Sequence, residues 1–176
     1  LGGSLHKAGL SFAGYSESMG SSGYTGCQYP PVYPTYARKH NPWVNFTDVP
    51  ASDNLPWTSF PTNYNTLPTI SIVVPNLLND MHDGTIQQGD TWLQQHLDGY
   101  VRWAKTHNSL LLVTWDEDDG SARNQIATIA VGPMVKAGTY SEIVNHYRLL
   151  RTLEDMYKLP YAHNSANVQP IADIWR

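Results

Sequence analysis

Apolar and polar positions follow two rhythms along this chain, and the places where the rhythm changes mark its elements. Residues 1–8 read as the tail of a helix, stopped by Gly9, a residue suited to the turn after a helix end. Residues 11–16 (SFAGYS) alternate loosely and predict a short strand. Residues 20–68 contain eight prolines, among them Pro30, Pro31, Pro34 and Pro42, and no convincing helix. Connections that long in a compact domain are usually functional or cover a site. Residues 69–74 (TISIVV) are rich in β-branched side chains and stop at Pro75-Asn76, which predicts a strand with a hard end. A polar loop follows, NLLNDMHDGTIQQGD, and Asp90 is then the expected N-cap of a helix through about His107. Leu93, Leu97, Tyr100, Val101 and Ala104 supply the 3–4 spacing of its buried face.

The next apolar run, residues 110–115, predicts a buried strand directly after that helix. A strand, helix and strand in this order form a crossover that makes the two strands parallel. Their carboxyl ends then share one sheet edge, so residues 76–83 and 116–119 are expected to meet. Residues 126–131 predict a further strand after the polar loop 120–125, and residues 143–158 an amphipathic helix. The irregular tail is expected to dock through Ile171, Ile174 and Trp175. The fold class implied is α/β, a mostly parallel sheet flanked by helices. Residues 1–176 form a single α/β domain or the C-terminal part of a larger one.

Composition narrows the partners. Eleven Lys and Arg against fifteen Asp and Glu, with no basic block, argue against a nucleic-acid partner. No apolar run reaches the ~20 residues of a transmembrane segment. Few charges, with many Gly, Pro and aromatic residues, suit a secreted or periplasmic protein. Cys27 is alone and cannot form an internal disulfide. The start, LGGSLHKAG, has no initiator Met and no signal peptide, and reads as a mature or truncated piece that begins inside a helix.

Chemistry concentrates at three places. The strand at 110–115 ends in Asp116-Glu117-Asp118-Asp119-Gly120, where open α/β sheets bind ligands. Adjacent carboxylates are hard oxygen donors for a divalent ion such as Ca, Mg or Mn, and equally describe a solvated acidic turn. His82 lies between Asp80 and Asp83, where a carboxylate can orient the imidazole for phosphoryl binding or proton transfer. His40 follows Arg38 and Lys39, a local positive patch that suits an anionic group or a solvated turn. His146 opens the last helix and reads as a packing residue, and His107 ends a helix where it meets the dipole. No paired-Cys or H-x-x-x-H zinc pattern, phosphate-binding glycine loop or G-x-S-x-G elbow is present.

The runs PNLLNDMHDG (75–84), GDTWL (89–93) and TWDEDDG (114–120) resemble the bacterial phosphoesterase family. AGLSFAGYSES (8–18), YARKHNPW (36–43) and NHYRLLRTLEDMY (145–157) extend the resemblance in the same order, and it leans toward the acid-phosphatase branch. The resemblance implies an alkaline-phosphatase-like α/β fold and metal-dependent hydrolysis of phosphate monoesters, with a phospholipase C-type phosphodiesterase or a non-catalytic accessory module as alternatives. It implies Asp116 and Glu117 as metal ligands, and His40 and His82 as catalytic residues contacting the phosphoryl group. The substrate implied is a small phosphorylated molecule or a phospholipid headgroup. The family's upstream Glu-Asn metal pair and Ser or Thr nucleophile find no match in residues 1–35. A missing N-terminal segment of the same protein is therefore expected, and with it a fold incomplete at the N-terminus.

Overall fold

A computed structural model describes residues 1–33, 35–120 and 123–176; Pro34 and part of the 120–125 loop lie outside the described residues. Contacts divide the chain into two compact units, Leu1–His96 and Leu97–Arg176. In chain order the elements are α1 (Gly2–Lys7), β1 (Phe12–Ser16), β2 (Gln28–Tyr29), β3 (Tyr36–Ala37), β4 (Asn54–Pro56), β5 (Ile70–Val74), α2 (Ile86–Ala104), β6 (Leu111–Thr114), β7 (Thr128–Val131) and α3 (His146–Tyr157). Short 3-10 turns fill much of the proline-rich stretch. The fold is α/β, with a parallel sheet flanked by helices.

The first unit is built on β1, whose five residues are all buried. It lies between β4 and β5 and pairs parallel with both. A strand covered on both faces needs small residues where a large neighbour crosses it, and Gly14 is such a position. A Cβ there would sit 2.1 Å from Trp43 Cε2. Trp43, 3% exposed, donates its indole N–H to Asn54 Oδ1 at 2.9 Å, which ties the 38–45 segment to β4. Gly9 has φ +73, the left-handed geometry expected after α1.

The helix α2 starts earlier than Asp90. Thr85 and Gln88 form a reciprocal capping box, Gln88 N to Thr85 Oγ1 at 3.2 Å and Thr85 N to Gln88 Oε1 at 2.7 Å. This T-x-x-Q signal precedes the apolar periodicity by a full turn. Gly89, inside the first turn, leaves room for Met81, because a Cβ there would lie 2.9 Å from Met81 Cγ.

In the second unit β6 pairs antiparallel with β7, Leu111 opposite Val131 and Thr114 opposite Thr128. The expected crossover sheet is therefore corrected: β5 belongs to the β1 ladder and β6 to the β7 ladder. The argument that residues 76–83 and 116–119 share one sheet edge loses its basis. Helix α3 begins at His146, capped by Asn145, whose side chain accepts from Arg148 N. Glu154, 2% exposed, accepts from Ala162 N at 2.9 Å and from Ser165 Oγ at 2.6 Å, and so locks the following turn onto the helix. The tail docks as expected. Ile171 is buried, Trp175 donates to Ile171 O at 2.7 Å, and Lys136 N bonds Ile174 O at 2.8 Å.

Glu142 fastens the same tail. Burial pushes its carboxyl up, but donation from Ala172 N, Asp173 N and the Arg148 guanidinium outweighs this and lowers it to about 2. A carboxylate lowered in the folded state adds stability above its ordinary value and loses it as the pH falls toward the lowered one. The Glu142 contribution to tail docking should therefore be fully present above pH 4.5 and weaken progressively toward about pH 2, partly opposed by the Asp173 carboxyl, which burial and Glu142 hold up. Hydrogen exchange at the Ala172 and Asp173 amides will report this, and protection unchanged across that window would contradict it. Gly14→Ala should destabilise the chain by roughly 1–3 kcal/mol through overpacking against Trp43; an unmoved urea midpoint would contradict the close approach.

Candidate active site

The 76–84 loop after β5 is stiffened by its own hydrogen bonds. Asn76 Oδ1 accepts from Leu78 N and Asn79 N, both at 3.1 Å, and Asn76 O accepts from Asp80 N at 2.8 Å. Asp83 N bonds Leu77 O at 2.8 Å, and a Cβ on Gly84 would stand 1.8 Å from Leu78 O. Only glycine lets the loop close that tightly. The carboxylate of Glu17, just beyond β1, braces the loop from outside by accepting from Asn76 N at 2.9 Å and from Asn79 Nδ2. Met81 takes φ +74, a strained value for a side-chain-bearing residue, at the point where the chain turns between Asp80 and His82.

The second contributor is the turn after β3. Arg38 is anchored by Thr25 O at 3.0 Å and Asn45 Oδ1 at 2.9 Å. Asn41, wholly buried, accepts from Ser16 Oγ at 2.7 Å and donates to Tyr36 OH at 3.0 Å. His40 is thus set between two fixed neighbours.

The two loops meet at Asp80. Its Oδ2 accepts from His40 Nδ1 at 2.7 Å, and its Oδ1 accepts from the His82 backbone N–H at 2.9 Å. Asp83 Oδ1 takes His82 Nδ1 at 2.8 Å, so each imidazole is held through Nδ1 by its own carboxylate. The ring centroids of His40 and His82 lie 5.3 Å apart. Lys39 Nζ sits 2.9 Å from His82 Nε2. His40 and Asp80 are mostly covered, with side chains 20% and 14% exposed, whereas His82 and Asp83 are open to solvent. Two histidines and a lysine around one exposed point can bind an oxyanion and exchange a proton with it.

Asp116 and Glu117 belong to the second unit and stand exposed at the end of β6. Asp118 Oδ1 accepts from Gly120 N at 2.9 Å, Asn124 Oδ1 from Asp118 N at 3.0 Å, and Gly120 has φ +85. His146 Nε2 donates to the Asp116 carbonyl at 2.8 Å, so this histidine supports the acidic turn. His107 donates to Trp103 O at 2.7 Å, near the carboxyl end of α2. Among the described residues no three His, Cys, Asp or Glu form a group that could hold a metal ion. Two adjacent carboxylates suit Ca, Mg or Mn by type, but fall short of the six or more oxygen ligands such ions take.

The sequence singled out both histidines and set Asp80 beside His82 and Lys39 beside His40, but the pairing of Asp80 with the His40 ring and of Lys39 with the His82 ring is new. Their signal was present only as residue type, because the pairings cross about 40 residues of chain.

A sequence model of the phosphoesterase family matches residues 1–160. The chain belongs to the phosphoesterase family. It is 52% identical over 177 residues to a phosphatidylinositol-3-phosphatase of Mycobacterium tuberculosis, covering 99% of this chain and 58% of that protein. It is 32% identical to a phosphate-repressible acid phosphatase of Penicillium chrysogenum, over 86% of this chain and 40% of the relative. A probable acid phosphatase of Kluyveromyces lactis is 28% identical over 89% of this chain and 41% of its own length. The phosphoesterase chain thus spans about half the length of the curated relatives it matches. No solved structure matches it.

Asp80→Ala should remove the bond to His40 that joins the loops and the bond that holds the His82 backbone within its own loop. We expect a loss of roughly 1.5–3 kcal/mol, the range for hydrogen bonds to a charged group, together with loss of the nuclear Overhauser contact between the His40 and His82 rings. Retention of that contact would show that the carboxylate does not hold the pair.

Proposed function

We propose that the phosphoesterase acts as a phosphatase on phosphate monoesters, with His40 and His82 binding the phosphoryl group. The observation that carries this reading is the convergence of two Nδ1-anchored imidazoles and an ammonium in a chain of this family. The names phosphatidylinositol-3-phosphatase and acid phosphatase, borne by its relatives, agree with it.

The chain's own contributions follow from its geometry. Asp80 and Asp83 fix the two rings through Nδ1, so that Nε2 of His40, and Nε2 of His82 in place of its contact with Lys39, are the atoms to meet a phosphoryl oxygen. Phosphoryl transfer asks mainly for positioning and charge stabilisation, and held donor groups supply both. A route through a phosphoryl-enzyme also calls for an activated Ser or Thr hydroxyl. Ser16 Oγ is spent on Asn41 and Ser18 Oγ accepts from Asn76 Nδ2 at 3.0 Å, so both brace loops. The resemblance puts the nucleophile upstream of Leu1, and that assignment remains part of the proposal.

The resemblance implies a divalent ion held by Asp116 and Glu117 together with ligands beyond them, and such an ion would supply Lewis-acid charge neutralisation. The proposed setting is secreted or periplasmic, with a small phosphorylated substrate or a phospholipid headgroup.

Hydrolysis of p-nitrophenyl phosphate and p-nitrophenyl phosphorylcholine by the full-length enzyme should be compared directly. The monoester should be preferred, and His82→Ala should lower its kcat/KM by about a hundredfold, the scale of positioned acid–base and binding groups. Preference for the diester would replace this reading with a phospholipase C-type activity. In the full-length enzyme Asp116→Asn should abolish turnover and weaken metal binding, and retained metal affinity with full turnover would reduce the acidic run to a solvated turn.

A further inference from the structure

Lys39 is the cation of the first unit that is placed for a ligand. Lys7, Arg38 and Lys39 are the only Lys and Arg residues in positions 1–96. Lys7 pairs at 3.7 Å with Asp48, and both of Arg38's recorded bonds go to protein oxygens. Among the described residues Lys39 Nζ meets an imidazole nitrogen, His82 Nε2, at 2.9 Å, and its side chain is exposed.

The direction of that bond fixes the state of the ring. An ammonium can only donate, so Nε2 must present its lone pair. Asp83 accepts at Nδ1, so the ring proton sits there. With Lys39 as an ammonium and Asp83 as a carboxylate, both contacts are met by the Nδ1–H tautomer of His82, its outward nitrogen facing Lys39. It cannot donate a hydrogen bond to a phosphoryl oxygen in that state. The ligand-free arrangement is thus not the one the proposed function needs.

We infer that Lys39 is an oxyanion-binding residue that leaves His82 for the incoming phosphoryl group and thereby couples anion binding to protonation of His82 Nε2. This rests on the proposed phosphoryl site and adds a residue and an order of events to it. The competition favours the anion. A bond from an ammonium to a neutral imidazole gains no charge pairing, whereas one to a phosphate oxygen is charge-assisted on both sides. The four-carbon lysine stem lets the ammonium move a few ångströms without disturbing the backbone. Once it turns to the anion, the Nε2 lone pair is released and takes one proton, from solvent or from the bound acid form of the anion. Nε2–H then donates to a second oxygen of the same group, with the His40 ring 5.3 Å away between centroids. His82 becomes a donor only after an anion has claimed Lys39, so an empty site holds its proton donor in check.

Inorganic phosphate is the probe. Calorimetric titration of the whole chain should give a phosphate affinity that Lys39→Met weakens about tenfold, while Lys39→Arg, which keeps the charge, stays within about threefold of the parent. Nitrogen-15 spectra should show His82 Nε2 unprotonated in the free parent and protonated in the phosphate complex. If Lys39→Met binds phosphate as tightly as the parent, or if Nε2 is already protonated without phosphate, the role of Lys39 is wrong while the phosphoryl site stands. If the parent binds no phosphate and His40 does not respond, the proposed site fails together with this inference.

Discussion

The carboxylate of Asp80 is shared between two loops, and the candidate site depends on that sharing. One oxygen takes the His40 ring and the other takes the backbone N–H of His82. A carboxylate accepting two hydrogen bonds from segments 40 residues apart fixes both at once, because moving either loop strands a lone pair in a mostly covered position. The surroundings make the bond possible. The Glu17 carboxylate beyond β1 holds Asn76 and Asn79, buried Asn41 holds the turn of His40, and Gly84 and Gly89 remove the side chains that would keep the 76–84 loop from closing.

The central strand transmits this arrangement. Ser16, the last residue of β1, bonds Asn41, and Glu17, the next residue, bonds the 76–84 loop. Both ring-bearing segments are therefore tied to adjacent residues at the carboxyl end of one buried parallel strand. That is the edge at which α/β sheets expose loop atoms to ligands. The aromatic cluster of Tyr15, Phe60, Trp57 and Trp92, with neighbouring centroids 4.5–5.3 Å apart, gives the strand and the first turns of α2 a stiff backing.

Local signals in the sequence located most elements, and non-local pairings escaped it. The β-branched run of β5, the Gly9 stop and the apolar spacing of α3 each depend on neighbouring residues, and each is found close to where its pattern lies. The start of α2 was misplaced because apolar periodicity begins later than the Thr85–Gln88 cap that nucleates the helix. The crossover rule assumes that successive strands join one ladder, and here β5 pairs with β1 while β6 pairs with β7. In the candidate site, His40 and His82 were legible as histidines beside charges. Which charge serves which ring was not, since Asp80 is a sequence neighbour of His82 but bonds the ring of His40, and Lys39 is a neighbour of His40 but bonds the ring of His82.

The most direct test of the central claim is to follow the imidazole resonances of all seven histidines while inorganic phosphate is added at constant pH and ionic strength. A phosphoryl site built on the Asp80-linked pair predicts that His40 and His82 shift together along one saturable curve, while His6, His96, His107, His146 and His163 stay in place. Shifts that are absent, uniform across the seven, or saturable elsewhere than at His40 and His82 would contradict it.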